Sequence, residues 1–295
     1  MSEMLLSIES VAPEDQDAIT TEYVETTGGV VIGVRRWSGA TLLPDEPVAL
    51  FVHGFGEGAF VWDDAVNAAM PWQSMGIDLR GHGNSNWADW ASYQTEIHAQ
   101  DLVSVVQKLD LRRIVLVGHS LGADVSLRAY ARLADRMAGL VIVDYGPDTS
   151  NDASATVRKA FTESAQPYST VGGYHDYLAA TRPLAKTSLL RNFAESALRC
   201  HVDGSLRLKA DPDLVKPPTL SRSGQIWEEL RTVRCPVLLL RGLGSSVLRA
   251  DVARRMVDTL ADARLVEVPL AGHSVMLDNP EAFKRALAEF LMCRT

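Results

Sequence analysis

Four short apolar runs constrain this chain more than anything else in it: VALFVHG (48–54), RIVLVGHS (113–120), GLVIVDYG (139–146) and PVLLLRG (236–242). Each is apolar at consecutive positions rather than at alternate ones. A strand of that kind is buried on both faces, which is how a parallel sheet covered by helices on each side reads. Segments of helical period separate the runs. QTEIHAQDLVSVVQKL (94–109), LGADVSLRAYARLA (121–134), ADVARRMVDTL (250–260) and PEAFKRALAEFL (280–291) are the clearest, the last with Pro280 near its start. PWQSMGID (71–78) and ARLVEVP (263–269) are weaker strand candidates, and the β-branched residues around Gly28-Gly29 read as a hairpin over 19–38. The expected fold is α/β: a mostly parallel sheet of about eight strands covered by helices on both faces.

One segment breaks the alternation. Residues 147–230 hold no convincing buried strand but several amphipathic pieces, among them ATVRKAFTESA (155–165), GYHDYLAATR (173–182) and SLLRNFAESALR (188–199). They read as a helical cap inserted into a core made of 1–146 and 231–295. Residues 1–18 read as a loose acidic extension. Composition narrows the partners. With net charge −8 and no basic run, the chain is a poor binder of nucleic acid or anionic membranes. It has no run of 18 apolar residues for a transmembrane helix, and its first residues lack the basic and apolar regions of a signal peptide. Cys200, Cys235 and Cys293 are odd in number and far apart, so neither a disulfide framework nor a metal site is expected. These features together read as a cytoplasmic protein without cofactor or metal; a homodimer is left open.

The chemistry centres on VLVGHSLGAD (115–124), in which Gly118-His119-Ser120-Leu121-Gly122 lies between a strand and a helix. A sharp strand-to-helix turn needs small flanking residues and presents the serine hydroxyl above the sheet edge. A serine is a weak nucleophile until a neighbouring base takes its proton. With HGFG (53–56), DLRGHGNS (78–85) and AGHSVMLDNPEAF (271–283), in this order and spacing, the chain resembles the α/β-hydrolase superfamily over about 250 residues. The resemblance implies Ser120 as nucleophile and His273, in the loop after the last strand, as base. It also implies an oxyanion hole made by the backbone N–H groups of Leu121 and Phe55.

The acid is less direct. Members of the family usually carry it after the strand that here ends in LRGLGSSVLRAD (240–251), where Ser245 and Ser246 stand instead. Asp251 opens a helix and reads as a dipole or capping residue. Asp148 lies in a turn. Asp144 ends the strand next to the nucleophile's, a placement similar to that of one group of haloalkane dehalogenases and some lactone and amide hydrolases, and it is the leading candidate.

A serine in the nucleophile position points away from dehalogenase or epoxide-hydrolase chemistry and toward cleavage of an ester, thioester, lactone or amide of a small acyl substrate. Carbon–carbon bond hydrolysis and cofactor-free perhydrolysis remain compatible, as does a non-catalytic ligand receptor. Tyr168, Tyr174, Tyr177, Trp227 and Met276 are candidates for the pocket wall or for core. Between 147 and 222 ten basic residues face eight acidic ones. That balance reads either as solvated helix faces or as a mildly basic lid suited to an acidic substrate.

Overall fold

The computed structural model describes residues 19–37, 46–69, 72–217 and 222–293. The expected extension over 1–18 lies outside them. Strands β1 (Thr20–Glu25) and β2 (Val31–Arg36) form the antiparallel hairpin expected around Gly28-Gly29. There follow β3 (Val48–Val52), β4 (Gln73–Ile77), helix α1 (Thr95–Lys108), β5 (Ile114–His119), α2 (Leu121–Leu133) and β6 (Met137–Val143). The chain then leaves the sheet for α3 (Asn151–Ser164), α4 (Val171–Thr181), α5 (Thr187–Ala197), a small hairpin of β7 (Leu198–Cys200) and β8 (Leu206–Leu208), and α6 (Ser223–Thr232). It returns with β9 (Val237–Gly242), α7 (Ala250–Thr259), β10 (Ala263–Val268), the short α8 (Val275–Asp278) and α9 (Pro280–Met292).

The main sheet has eight strands in the order β1-β2-β4-β3-β5-β6-β9-β10, and every pair from β4 onward is parallel. Successive side chains on a strand point to opposite faces, and the apolar runs divide accordingly. Phe51, Val115, Val117, Val141, Val143, Leu238 and Leu240 join one buried cluster, which continues into α9 and the inserted segment through Tyr174, Leu178 and Phe193. Leu50, Val52, Ile114, Leu116, Leu140, Ile142, Val237 and Leu239 join a second, on the other face, against α1, α2 and α7. Both faces are therefore core, which is why these strands could not alternate apolar with polar.

The inserted segment also holds the hairpin β7/β8, within residues 147–230 where the sequence offered no convincing buried strand. Its strands have three residues each, too few to leave a period in the sequence. It is seated by mutual backbone bonds between Tyr168 and Leu206, both 2.8 Å.

Candidate active site

Three strand ends converge at the C-terminal edge of the sheet. Ser120 follows β5, with φ 51° and ψ −115°, and its N–H bonds the Val143 carbonyl at 3.1 Å. A non-glycine residue at positive φ is strained and is held only where its surroundings dictate it. Here the flanking glycines allow the crowding. A Cβ on Gly118 would lie 2.5 Å from the Gly122 carbonyl oxygen, and one on Gly122 would collide with the Val52 carbonyl. Asp144 follows β6, also at positive φ (48°), with its N–H on the Leu240 carbonyl at 2.8 Å. Because β5 and β6 are parallel neighbours with His119 opposite Val143, the side chains of Ser120 and Asp144 emerge at the same edge.

His273, in the loop between β10 and α8, bridges them. Its Nε2 lies 3.0 Å from Ser120 Oγ and its Nδ1 2.8 Å from Asp144 Oδ2. A carboxylate can only accept, so the network assigns the proton to Nδ1, leaving Nε2 as the acceptor for the serine hydroxyl. Asp144 has no exposed side-chain surface, against 23% for His273. Burial pulls the imidazole's pKa below the ordinary 6.5, the Asp144 bond works upward against it, and the His119 ring again lowers it. The other two carboxylates weighed from the sequence lie elsewhere. Asp148 bonds Ser223, Trp227 and Arg255, and Asp251 pairs with Arg249 in solvent.

The two serines that stand in place of an acid now have a context. Ser245 donates to Asp144 Oδ2, and the Gly242 N–H reaches Oδ1 at 3.2 Å. Ser245 Oγ in turn accepts from the N–H of Val247 at 3.1 Å. The loop after β9 thus supplies hydrogen-bond donors to a carboxylate that β6 carries.

Leu121 opens α2, so its N–H has no partner within the helix. Phe55 sits in the turn His53-Gly54-Phe55-Gly56, and both residues line the cavity above Ser120. Below that turn lies a second buried network that the sequence reading missed. Glu57, 4% exposed, accepts from the Gly54 N–H at 3.1 Å. It also lies 3.4 Å from His119 Nδ1 and 3.4 Å from Arg182 Nη1. Burial alone would raise this carboxyl's pKa, but the His119 bond and the Arg182 guanidinium hold it below its ordinary value. His119 Nε2 donates to the His273 carbonyl at 2.9 Å, and the two imidazole rings lie tilted at 43° with centroids 4.7 Å apart. An acid four residues after His53 was the only available signal. His53 itself is structural: fully buried, its pKa lowered to about 4 chiefly by desolvation, it accepts from the Leu79 N–H at 3.0 Å.

The cavity has a volume of about 630 Å³, within the usual range for a small-molecule site. Ser120 and His273 form its floor, and Tyr93, Tyr145, Val157, Leu214 and Ile226 contribute walls. Tyr168, Tyr174, Tyr177, Trp227 and Met276, weighed for the pocket wall or for core, are not among the residues that line it. Tyr168 is packed in the core 5.0 Å from Tyr174, Met276 is 2% exposed in the same cluster, and the Tyr177 hydroxyl bonds the Ala160 carbonyl. Trp227 lines a separate surface hollow with Arg255. Amphipathic pattern marks which side chains turn inward, but not whether they meet core or cavity. Among the described residues, no three His, Cys, Asp or Glu side chains gather as a metal ion would require, and no helix is long and apolar enough to cross a membrane.

An eight-stranded, mostly parallel sheet with a serine on a strained strand-to-helix turn defines the class, and comparison with known proteins gives the family. The sequence profile of the Alpha/beta hydrolase family matches residues 49–286, and the chain belongs to that family. It is 27% identical over 246 residues to the 2-(acetamidomethylene)succinate hydrolase of Mesorhizobium japonicum, covering 83% of this chain and 88% of that one. It is 26% identical over 268 residues to the esterase Rv0045c of Mycobacterium tuberculosis, covering 88% and 86%. The crystal structure of E-2-(acetamidomethylene)succinate hydrolase superposes with a TM-score of 0.82 at 25% identity, covering 93% of this chain and all of the other. Family and relatives together support hydrolase activity.

Proposed function

We propose that the protein is a serine hydrolase that cleaves a carboxylic ester, lactone or amide of a small molecule through an acyl-enzyme. The observation that carries this reading is the unbroken line of hydrogen bonds Ser120–His273–Asp144 on the floor of the cavity. Ser120 Oγ attacks the acyl carbon while its proton passes to His273 Nε2. Negative charge on the carbonyl oxygen is met by the N–H groups of Leu121 and Phe55, each worth about 3–4 kcal/mol in comparable sites. Asp144 holds the Nδ1–H tautomer and stabilises the imidazolium. His273 then returns the proton to the leaving group. Water attacks the acyl-enzyme with His273 as base, releasing the acid and restoring the serine. The names of the similar proteins, an esterase and a hydrolase of an acetamido compound, support acyl cleavage.

The test is covalent labelling with a fluorophosphonate, followed by peptide mapping. Ser120 is expected to carry the adduct in folded protein, and Ser120→Ala to carry none. Folded wild-type protein that stays unlabelled, or is labelled elsewhere, would sink the reading.

A further inference from the structure

Three arginines line the cavity, Arg128, Arg158 and Arg222, against two carboxylates, Glu96 and Asp124. Arg222 is paired with Asp124 at 2.7 Å and with Glu229 at 3.0 Å. Arg128 is paired with Glu96. Arg158, on α3, lines the same cavity and faces no carboxylate among the described residues. Its Nη2 is held by two backbone carbonyls, those of Val215 and, at 2.8 Å, Pro217. Among the described residues, Nη1 and Nε have no protein acceptor. The guanidinium lies over the Phe55 ring, with Cζ 6.0 Å from its centroid. It therefore stands beside the turn that flanks the nucleophile.

We infer that Arg158 is a substrate anchor and that the acyl substrate carries a carboxylate, which Arg158 receives in the cavity above Ser120. This rests on the serine-hydrolase reading and narrows its substrate class. The physical case has three parts. A guanidinium stays charged, so a partly buried one without a counter-ion is a standing cost that a bound anion removes; burial already draws its pKa below the ordinary guanidinium value. The two carbonyl bonds fix the group in place, so little freedom is lost when an anion binds. The charge also sets the class of anion. Glu96 and Asp124 line the same cavity, so a single free cation, among the described residues, beside paired acids suits a monoanionic carboxylate better than a doubly charged phosphate.

Two fluorophosphonates identical except for the tail, one ending in a carboxylate and the other in a primary amide, test this without knowledge of the natural substrate. The readout is the ratio of their second-order rates of Ser120 labelling. Wild-type protein is expected to favour the carboxylate probe. Arg158→Gln is expected to lower that preference by about 10- to 100-fold, the range for loss of a charge-assisted hydrogen bond. Arg158→Lys, which keeps the charge but not the planar fork, should retain part of it. Equal labelling of wild-type protein by both probes, or a preference that survives in Arg158→Gln, overturns the anchor while leaving the nucleophile standing. If neither probe labels Ser120, the serine-hydrolase reading fails and the anchor fails with it.

Discussion

Two imidazole–carboxylate pairs lie side by side in this molecule and behave differently. His273–Asp144 has a short 2.8 Å bond, a partly open ring and a serine hydroxyl on its free nitrogen. His119–Glu57 is longer, at 3.4 Å, both side chains are almost completely buried, and the far nitrogen is spent on the His273 carbonyl. The same two functional groups therefore make a candidate base in one place and a brace in the other. The difference lies in what the second nitrogen faces. One faces a hydroxyl that can give up a proton in a cavity. The other faces a carbonyl that can only accept, in a site with no room for a substrate.

The comparison breaks most sharply under substitution. Ser120→Ala and Asp144→Asn are expected to lower kcat by about 10⁴-fold or more, since the first removes the proposed nucleophile and the second would hold the imidazole in the wrong tautomer. Neither change is expected to unfold the protein, and circular dichroism alongside turnover separates loss of chemistry from loss of fold. A turnover within tenfold of wild type in Asp144→Asn would return the acid role to Asp148 or Asp251.

Glu57→Gln acts on the other pair, and its main expected effect is on stability. Glutamine can still accept the Gly54 N–H, but it carries no charge for Arg182 to meet. Breaking a buried, paired network costs on the order of 3 kcal/mol, about 5 °C in Tm for a chain of this size. A smaller loss of kcat, about tenfold, should accompany it, because the same carboxylate steadies the turn that holds Phe55 and, through His119, the backbone of His273. A kcat loss approaching that of Asp144→Asn, with Tm unchanged, would mean that Glu57 belongs to the chemistry.

The two pairs also differ in how far the sequence reveals them. Ser120 and Asp144 stand at the ends of strongly apolar runs, so a strand pattern places both at the sheet edge, while His273, after a weaker run, is placed by the resemblance of AGHSVMLDNPEAF (271–283). The absence of an acid at Ser245-Ser246 then directs attention one strand back. Glu57 offers nothing comparable. Its partners are 62 and 125 residues away, and a charged residue in a glycine-rich turn gives no sign that it is buried. The cavity wall is hidden for the same reason. Tyr168 and Met276 have the aromatic or flexible character of pocket residues, yet they pack in the core, while Val157 lines the cavity and Leu214 and Ile226 belong to the core and line it too. Whether an inward side chain meets neighbours or space depends on how the inserted segment seats against the sheet, and that is set by contacts between distant parts of the chain.

Ser245 provides a finer probe of the first pair, which has a hydroxyl donor that the second lacks. Ser245→Ala removes one hydrogen bond to the Asp144 carboxylate and is expected to reduce kcat/KM by about 3- to 10-fold, the scale of one such bond.

The smallest effect expected is in the pH profile, and it has a definite sign. The base must be neutral to accept the serine proton, so kcat/KM falls on the acid side as His273 protonates. Burial lowers that pKa below 6.5, so the acid limb should have its midpoint below 6.5. At pH 6 the wild-type enzyme should keep more than about one-quarter of its plateau activity, the share an ordinary imidazole would keep neutral there. Removing Ser245 leaves Asp144 with one donor fewer. The carboxylate then holds the Nδ1 proton more strongly, favours the imidazolium and moves the limb upward, toward 6.5. Profiles of kcat/KM for wild type and Ser245→Ala, measured between pH 5 and 8 on one neutral ester, read both directions. A downward move in the variant would mean that Ser245 supports the base by placing the loop after β9 rather than by sharing the charge of Asp144.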